Sequence, residues 1–251
     1  MFNVPSWSMV KNVYHYHNNK SNRLLITVGD SWTWGDSLGK TKVRLGHDDE
    51  QYRLSHVYGA LMQKELKCRW ANIALPGGSN QLMLEWLRHF LPNRGHADQV
   101  DCIITLTESG RHEELQMIDS SWPTQQYALT QLLAQTYQQI ESLKQIHPGV
   151  NFVVAHNFTD SAEGITPLCD KSWLEVLLDQ KIQKNTHIVV SEHIEQMNYT
   201  RRFPDVLDVI ERAQKRIDLL DSCKYCNKED SRHPTEQGHQ LWARYLLNRI
   251  N

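Results

Sequence analysis

The 251-residue sequence contains no apolar run of the length that a membrane-spanning helix needs. Its first twenty residues, MFNVPSWSMVKNVYHYHNNK, hold no continuous apolar core of the secretory-signal kind. Neither sign of charge is in excess: 27 Lys and Arg stand against 29 Asp and Glu, a net charge of −2. That balance removes any bulk electrostatic ground for binding nucleic acid or a membrane surface, and the basic pair Arg201-Arg202 reads as solvated surface. Cysteines number five, an odd count and mostly inside apolar segments, which argues against a secreted disulfide framework. There is no internal repeat, no low-complexity tract and no Pro/Gly/Ser linker. The expectation is a cytoplasmic protein with no nucleic-acid and no membrane partner.

What is present fits one large α/β domain or two small ones, long enough to bury a core without staples. The chain alternates β-rich runs with helical patterns. RLLITVGD (23–30) is a continuous apolar run of the kind buried on both faces. CRWANIALP (68–76), VDCIITLTE (100–108) and NFVVAHNF (151–158) read as three more strands, and HIVVSE (187–192) as a short fifth. Helical spacing marks 52–66, 81–91, 126–146, 172–182 and 203–220, and a last helix over 234–250 with Pro234 in its first turn. In that last helix Leu241, Leu246, Leu247 and Ile250 form the inward stripe. Strand–helix repetition of this sort predicts a doubly wound α/β sheet, whose ligand sites lie beyond the carboxyl ends of the strands. The loops after each strand are therefore where chemistry is sought.

The first strand ends in Gly29-Asp30-Ser31, within GDSWTWGDSL. The second ends in Pro76-Gly77-Gly78-Ser79-Asn80, the third in Thr107-Glu108-Ser109-Gly110-Arg111. Just before the last helix lies EDSRHPTEQGH, with Asp230 and His233. A serine hydroxyl is a poor nucleophile unless a base takes its proton during attack, and a histidine three residues from an orienting carboxylate is built for that task. The stretch contains a second Asp-Ser pair, Asp36-Ser37, but only Ser31 follows the strand directly.

The blocks GDSWTWG, NIALPGGSN and DSRHP, in that order, resemble blocks I, II and V of the SGNH hydrolases, also called GDSL-like esterases and lipases. The resemblance implies a flavodoxin-like three-layer α/β/α sandwich with a central parallel sheet of about five strands. It implies a single domain over 1–251, with 1–20 as an N-terminal extension. It assigns Ser31 as nucleophile, His233 as base and Asp230 as the acid that orients it; Glu229, its neighbour in sequence, is the substitute acid if Asp230 points away. The oxyanion donors it implies are the backbone N–H groups of Ser31 and Gly77 and an asparagine side chain from a third block. Here that block reads LTESGRHE and holds no asparagine; Ser109 is the nearest positional match. Arg111 or Asn80 would otherwise reach in from the side, and Trp32, Asn80 and Arg111 are the substrate-binding candidates. The expected reaction is hydrolysis of a small-molecule or carbohydrate ester, removing a small acyl group such as acetyl, with no cofactor and no metal.

Plainer readings stand beside these. Ser31 also suits a turn after a strand, Gly77 and Gly78 a simple turn, and Asp230 the cap of the last helix. Of Trp32 and Trp34, one is expected in the core and the other at an acyl or sugar pocket. Cys223-Lys-Tyr-Cys226 has the spacing of a zinc half-site or a redox dithiol, or packs a loop as free thiols. HDDE (47–50) reads as a solvated loop. Two functions of other classes remain open: an O-acyltransferase on the same scaffold, and a non-catalytic binding protein with a degenerate site.

Overall fold

Leu24, Ile26 and Val28 pack into one apolar cluster while Leu25, between them, packs into another, and all four are fully buried. A strand buried on both faces requires cover on both sides, which a parallel sheet between two helical layers supplies. Each such side chain contributes about 1.5–3 kcal/mol when removed from water. The computed structural model describes residues 15–17, 20–36, 38–39, 50–107, 122–158, 169–179, 217–228 and 232–250.

Five strands form one sheet: β1 (His15–His17), β2 (Arg23–Gly29), β3 (Arg69–Ala74), β4 (Gln99–Leu106) and β5 (Val150–His156), in the order β1-β3-β2-β4-β5. The last four are mutually parallel. Leu24 lies opposite Arg69 and Gly29 opposite Ala74; Arg23 lies opposite Gln99, and Val100 opposite Val150. β1 runs antiparallel beside β3, so residues 15–17 of the stretch expected as an extension close one edge of the sheet. Read without β1, the strand order is 2-1-3-4, which begins the doubly wound flavodoxin order and places a topological switch point between β2 and β4.

The helices are α1 (Ser31–Trp34), α2 (Glu50–His56), α3 (Tyr58–Leu66), α4 (Asn80–Phe90), α5 (Trp122–Ile146), α6 (Trp173–Leu178) and α7 (Glu236–Ile250). α3, α6 and α7 cover one face, where Tyr58, Trp70, Trp173 and Trp242 gather; α4 and α5 cover the other through Met83, Leu87, Ile140 and Leu143.

Three expectations change. The single helix over 52–66 is two, broken at Val57, whose backbone is extended. There the N–H of Tyr58 is taken by Nδ1 of His239 at 3.3 Å, so the chain exchanges one helical bond for a tertiary one. Pro234 lies outside α7, in an isolated bridge with Cys226, and the helix starts two residues later. The helix over 172–182 stops at Leu178, where Asp179 turns left-handed at φ 51°. The strand expected at 187–192 lies outside the described residues, as does most of 203–220; the rest continues as a helical segment over 217–222.

Gly29 sets how closely α1 sits on the sheet. A Cβ there would lie 2.0 Å from Oγ1 of Thr33 and 3.1 Å from the carbonyl oxygen of Thr105. Gly29→Ala is therefore expected to force α1 outward and cost about 1–3 kcal/mol, read as a lower midpoint in urea unfolding. An unchanged midpoint would mean that α1 moves freely.

Candidate active site

β2 ends at the switch point, and the chain turns at once into α1. Asp30 caps that helix, its Oδ1 accepting from the N–H of Trp32 at 3.0 Å. The helix lasts one turn, and Gly35, at φ 83°, ends it. Ser31 thus occupies the first helical position, where an N–H has no acceptor within its own helix. Its side chain is largely but not wholly covered, with the residue 6% exposed.

Beneath Ser31 the strand ends are fastened to one another by buried polar groups. Asp30 Oδ2 accepts from Oγ1 of Thr107, after β4, at 2.6 Å; Asp30 Oδ1 accepts from Nδ2 of Asn157, after β5, at 2.7 Å. Thr107 is in turn held by Asn80, at the start of α4: Asn80 Oδ1 accepts from the Thr107 N–H at 2.8 Å, and its Nδ2 donates to the Thr107 carbonyl at 3.0 Å. Four loops from four strands meet in this chain of bonds. Buried polar groups tied in this way rigidify a site, because any one of them left unpaired is costly.

The network reassigns two expected substrate contacts. The Asn80 amide engages both backbone groups of Thr107, so its role is to clamp the rim. Trp32 is core: it is 4% exposed and meets Phe158 and Trp173 edge to face at 4.9 and 5.3 Å between ring centres. Trp34, half-buried, lies under the guanidinium of Arg53 at 3.7 Å, and Arg53 Nη1 donates to the Trp34 carbonyl at 2.7 Å. Arg53, 2% exposed, thereby pins the end of the Ser31 turn, a role that no local motif around it announces.

The loop bearing Gly77 starts next to the end of β2. The Leu75 N–H donates to the Gly29 carbonyl at 2.9 Å, after which Leu75–Gly78 closes a turn through Gly78 N–H to Leu75 O at 2.9 Å. Proline second and Gly77 third at φ 73° make it type II, and the closing bond is made by the Gly78 N–H, with no acceptor for the Gly77 N–H among the described residues.

His233 arrives from the far end of the chain. Its Nε2 faces Oδ2 of Asp36 at 3.7 Å, and the Asp36 N–H donates to the Ser31 carbonyl at 2.9 Å. His233 and Ser31 are thus joined to one turn through Asp36, a link that no motif in the sequence announces. The loop bearing His233 is itself strapped: its carbonyl accepts from Asn227 N–H at 2.8 Å, and neighbouring Arg232, at φ 58°, bonds Asp221 through Nε at 2.7 Å. Asp230 and its substitute Glu229 lie outside the described residues, as do Ser109 and Arg111. Among the described residues no group of three or more His, Cys, Asp or Glu is arranged to hold a metal, and no helix is long and apolar enough to cross a membrane.

No family model and no curated protein matches the chain. Solved structures do superpose on it, at low identity. A carbohydrate esterase described as having divergent catalytic and non-catalytic binding functions is 14% identical at a TM-score of 0.49, over 93% of this chain and 66% of that one. The chain thus spans slightly under two thirds of that protein's length. A putative lipolytic protein of the G-D-S-L family from Desulfitobacterium hafniense is 10% identical at 0.46, over 90% and 98%. A catalytic mutant of an acetylxylan esterase from Geobacillus stearothermophilus is 16% identical at 0.45, over 91% and 94%. Superpositions this loose carry no conclusion about the site, which rests on the geometry above.

A second imidazole lies close by. His239 is fully buried, and burial, followed by the nearby His233, pushes its pKa down to about 3. Its Nδ1 accepts from Tyr58 N–H, so the ring is neutral with its proton on Nε2. In the unfolded chain the same ring takes a proton near pH 6.5. Between 6.5 and 3 the unfolded state then binds the extra proton, so stability falls as pH falls, by about 1.4 kcal/mol per unit from this group. Unfolding free energy measured from pH 6.5 to 4.5 is expected to show that slope, and His239→Phe to remove it. A slope unchanged in the variant would assign it elsewhere.

Proposed function

We propose that the chain is a serine esterase of the SGNH type, which removes a small acyl group, acetyl foremost, from a small-molecule or carbohydrate ester. The observation that carries this reading is the meeting at the β2/β4 switch point. Ser31 leaves the strand end there, and His233 faces the same one-turn helix through Asp36.

The roles follow from the chemistry. Oγ of Ser31 attacks the ester carbonyl carbon while His233 takes the hydroxyl proton. Asp230 orients the ring and stabilises the imidazolium. The N–H groups of Ser31 and Gly77 donate to the developing oxyanion: Ser31 stands at the first position of its helix and Gly77 inside a turn that another N–H closes. Ser109 is the candidate third donor. The tetrahedral adduct collapses, the alcohol leaves with the proton from His233, and an acyl-Ser31 ester remains. Water then repeats the sequence, with His233 as base and then acid, and releases the carboxylic acid.

A fluorophosphonate probe tests the proposal. The natural chain is expected to take up the phosphonyl group on Ser31, and Ser31→Ala to take up none. Labelling that persists in the variant, or never occurs in the natural chain, overturns the reading. Release of the acyl group to added alcohols in preference to water would convert the hydrolase into an acyltransferase on the same machinery.

A further inference from the structure

The cysteines fall into two chemical groups. Cys68, Cys102 and Cys169 are buried singly, and desolvation is the leading cause that pushes each thiol pKa up, Cys169 to about 11. Cys223 and Cys226 are buried as a pair and hydrogen-bond one another. That bond moves the two thiols in opposite directions, Cys223 well below a free thiol and Cys226 above it. An inert packing thiol behaves like the first three; an attacking thiol beside a resolving one behaves like this pair.

The backbone has the matching shape. The Cys226 N–H donates to the Cys223 carbonyl at 3.3 Å, closing a four-residue turn, and such turns hold their end Cα atoms within about 7 Å. Disulfides span Cα separations of roughly 4.4–6.8 Å, so the bridge closes with little backbone movement. Lys224, between the two cysteines, is exposed, so the turn lies at the surface even though the thiols are covered. A structural zinc site needs four ligands, and no third His, Cys, Asp or Glu joins the pair among the described residues.

This turn is also what holds His233. Cys226 bridges Pro234, the Asn227 N–H donates to the His233 carbonyl at 2.8 Å, and the Thr235 N–H donates to the Tyr225 carbonyl at 2.7 Å. The contact is tight on its other side as well. A Cβ on Gly238, in α7, would lie 2.9 Å from the Tyr225 carbonyl oxygen. The turn therefore has no slack in which to change shape without moving the segment 233–235.

We propose that Cys223 and Cys226 are a redox-active dithiol, closed to an intrachain disulfide by a low-molecular-weight disulfide, and that closure shifts the strap carrying His233. The Cys223 thiolate attacks one sulfur of the small disulfide and expels one thiolate, leaving a mixed disulfide. The Cys226 thiol gives up its proton and attacks the Cys223 sulfur, expelling the second. The protein loses two electrons and two protons, and the small disulfide becomes two thiols. An effect on turnover rests on the esterase reading; the dithiol chemistry does not.

The test uses the natural chain equilibrated with graded ratios of oxidised to reduced glutathione, then acid quench, alkylation and peptide mass spectrometry. The expected result is a single transition to a species lacking two hydrogens, confined to the peptide holding Cys223 and Cys226. Cys68, Cys102 and Cys169 remain alkylatable after denaturation. Cys226→Ser is expected to stop at a glutathione adduct on Cys223. Two free thiols in excess oxidised glutathione, or zinc retained through purification and shielding both, overturns the proposal. Amide hydrogen exchange at Asn227 and Thr235, compared between the two forms, reads the coupling. A several-fold change supports it, and identical rates refute it. Fluorophosphonate labelling of the reduced protein separates the two readings, because its absence removes the esterase while leaving the thiol titration intact.

Discussion

Ser31→Ala, His233→Ala and the double variant are each expected to lose turnover of an activated acetyl ester by at least about a thousandfold, with the double variant no slower than either single one. Residues that act as a unit are non-additive: once the nucleophile is gone, its base has nothing to deprotonate. Residual rate in such variants comes from the oxyanion donors and substrate binding, and it typically stands about 10³–10⁴ above the reaction in water. The comparison discriminates sharply. If His233 were a structural loop residue, its loss would leave kcat intact and lower only the thermal midpoint. If another histidine were the base, His233→Ala would retain rate while Ser31→Ala lost it. Equal losses, with folding intact by circular dichroism, are the outcome expected if Ser31 and His233 act as one unit.

Asp36→Asn separates positioning from chemistry in the same assay. The backbone N–H of Asp36 still holds the Ser31 carbonyl in that variant, and only the carboxylate opposite His233 is lost. A tenfold or smaller effect on kcat, with the alanine variants near-dead, places Asp36 as a support for the ring. A loss matching His233→Ala would give the Asp36 carboxylate the orienting role assigned to Asp230.

Legibility in the sequence divides along a physical line. The strands over 23–29, 69–74, 99–106 and 150–156 were readable because burial on both faces leaves a continuous apolar run with few alternatives. Their parallel order followed from the intervening helices. Boundaries failed where a distant residue intervenes. The break at Val57 depends on His239, which lies 181 positions after Tyr58, and nothing between residues 52 and 66 announces it. Pro234 satisfied the local rule for a first helical turn but is drawn into a bridge with Cys226, again a tertiary contact. Around the end of β2, Ser31 and Gly77 stand out in sequence because each follows an apolar strand directly, and His233 because it closes a short polar motif before the last helix. Trp32 and Asn80 do not stand out, since an aromatic or an amide near a nucleophile looks the same in sequence whether it faces a ligand or the core. Thr107 and Asn157 carried a usable signal, a polar residue directly after an apolar strand, while Asp36 and Arg53 carried none.

Asp30→Ala is expected to be the most destabilising single change at the site, by about 3–5 kcal/mol. The carboxylate is fully buried and accepts from the Thr107 hydroxyl, the Asn157 amide and the Trp32 N–H, groups that belong to three different segments. Truncation leaves those donors buried without this acceptor, and each unsatisfied donor costs about 1–3 kcal/mol, offset in part by relaxation and water entry. For a chain of this length the loss corresponds to a fall in thermal midpoint of about 6–20 °C. Asp30→Asn keeps the volume and one acceptor oxygen but turns an N–H₂ toward a donor, so roughly half the loss is expected. Thr107→Val, which removes one donor and leaves the carboxylate its other partners, is expected to cost about 1 kcal/mol. The ordering Ala, Asn, Val identifies Asp30 as the hub that ties β2, β4 and β5 together under Ser31. A midpoint for Asp30→Ala within 2 °C or so of the natural chain would show that the rim holds without it. The strand ends would then be set by the sheet alone, and Ser31 by Gly29 and Arg53.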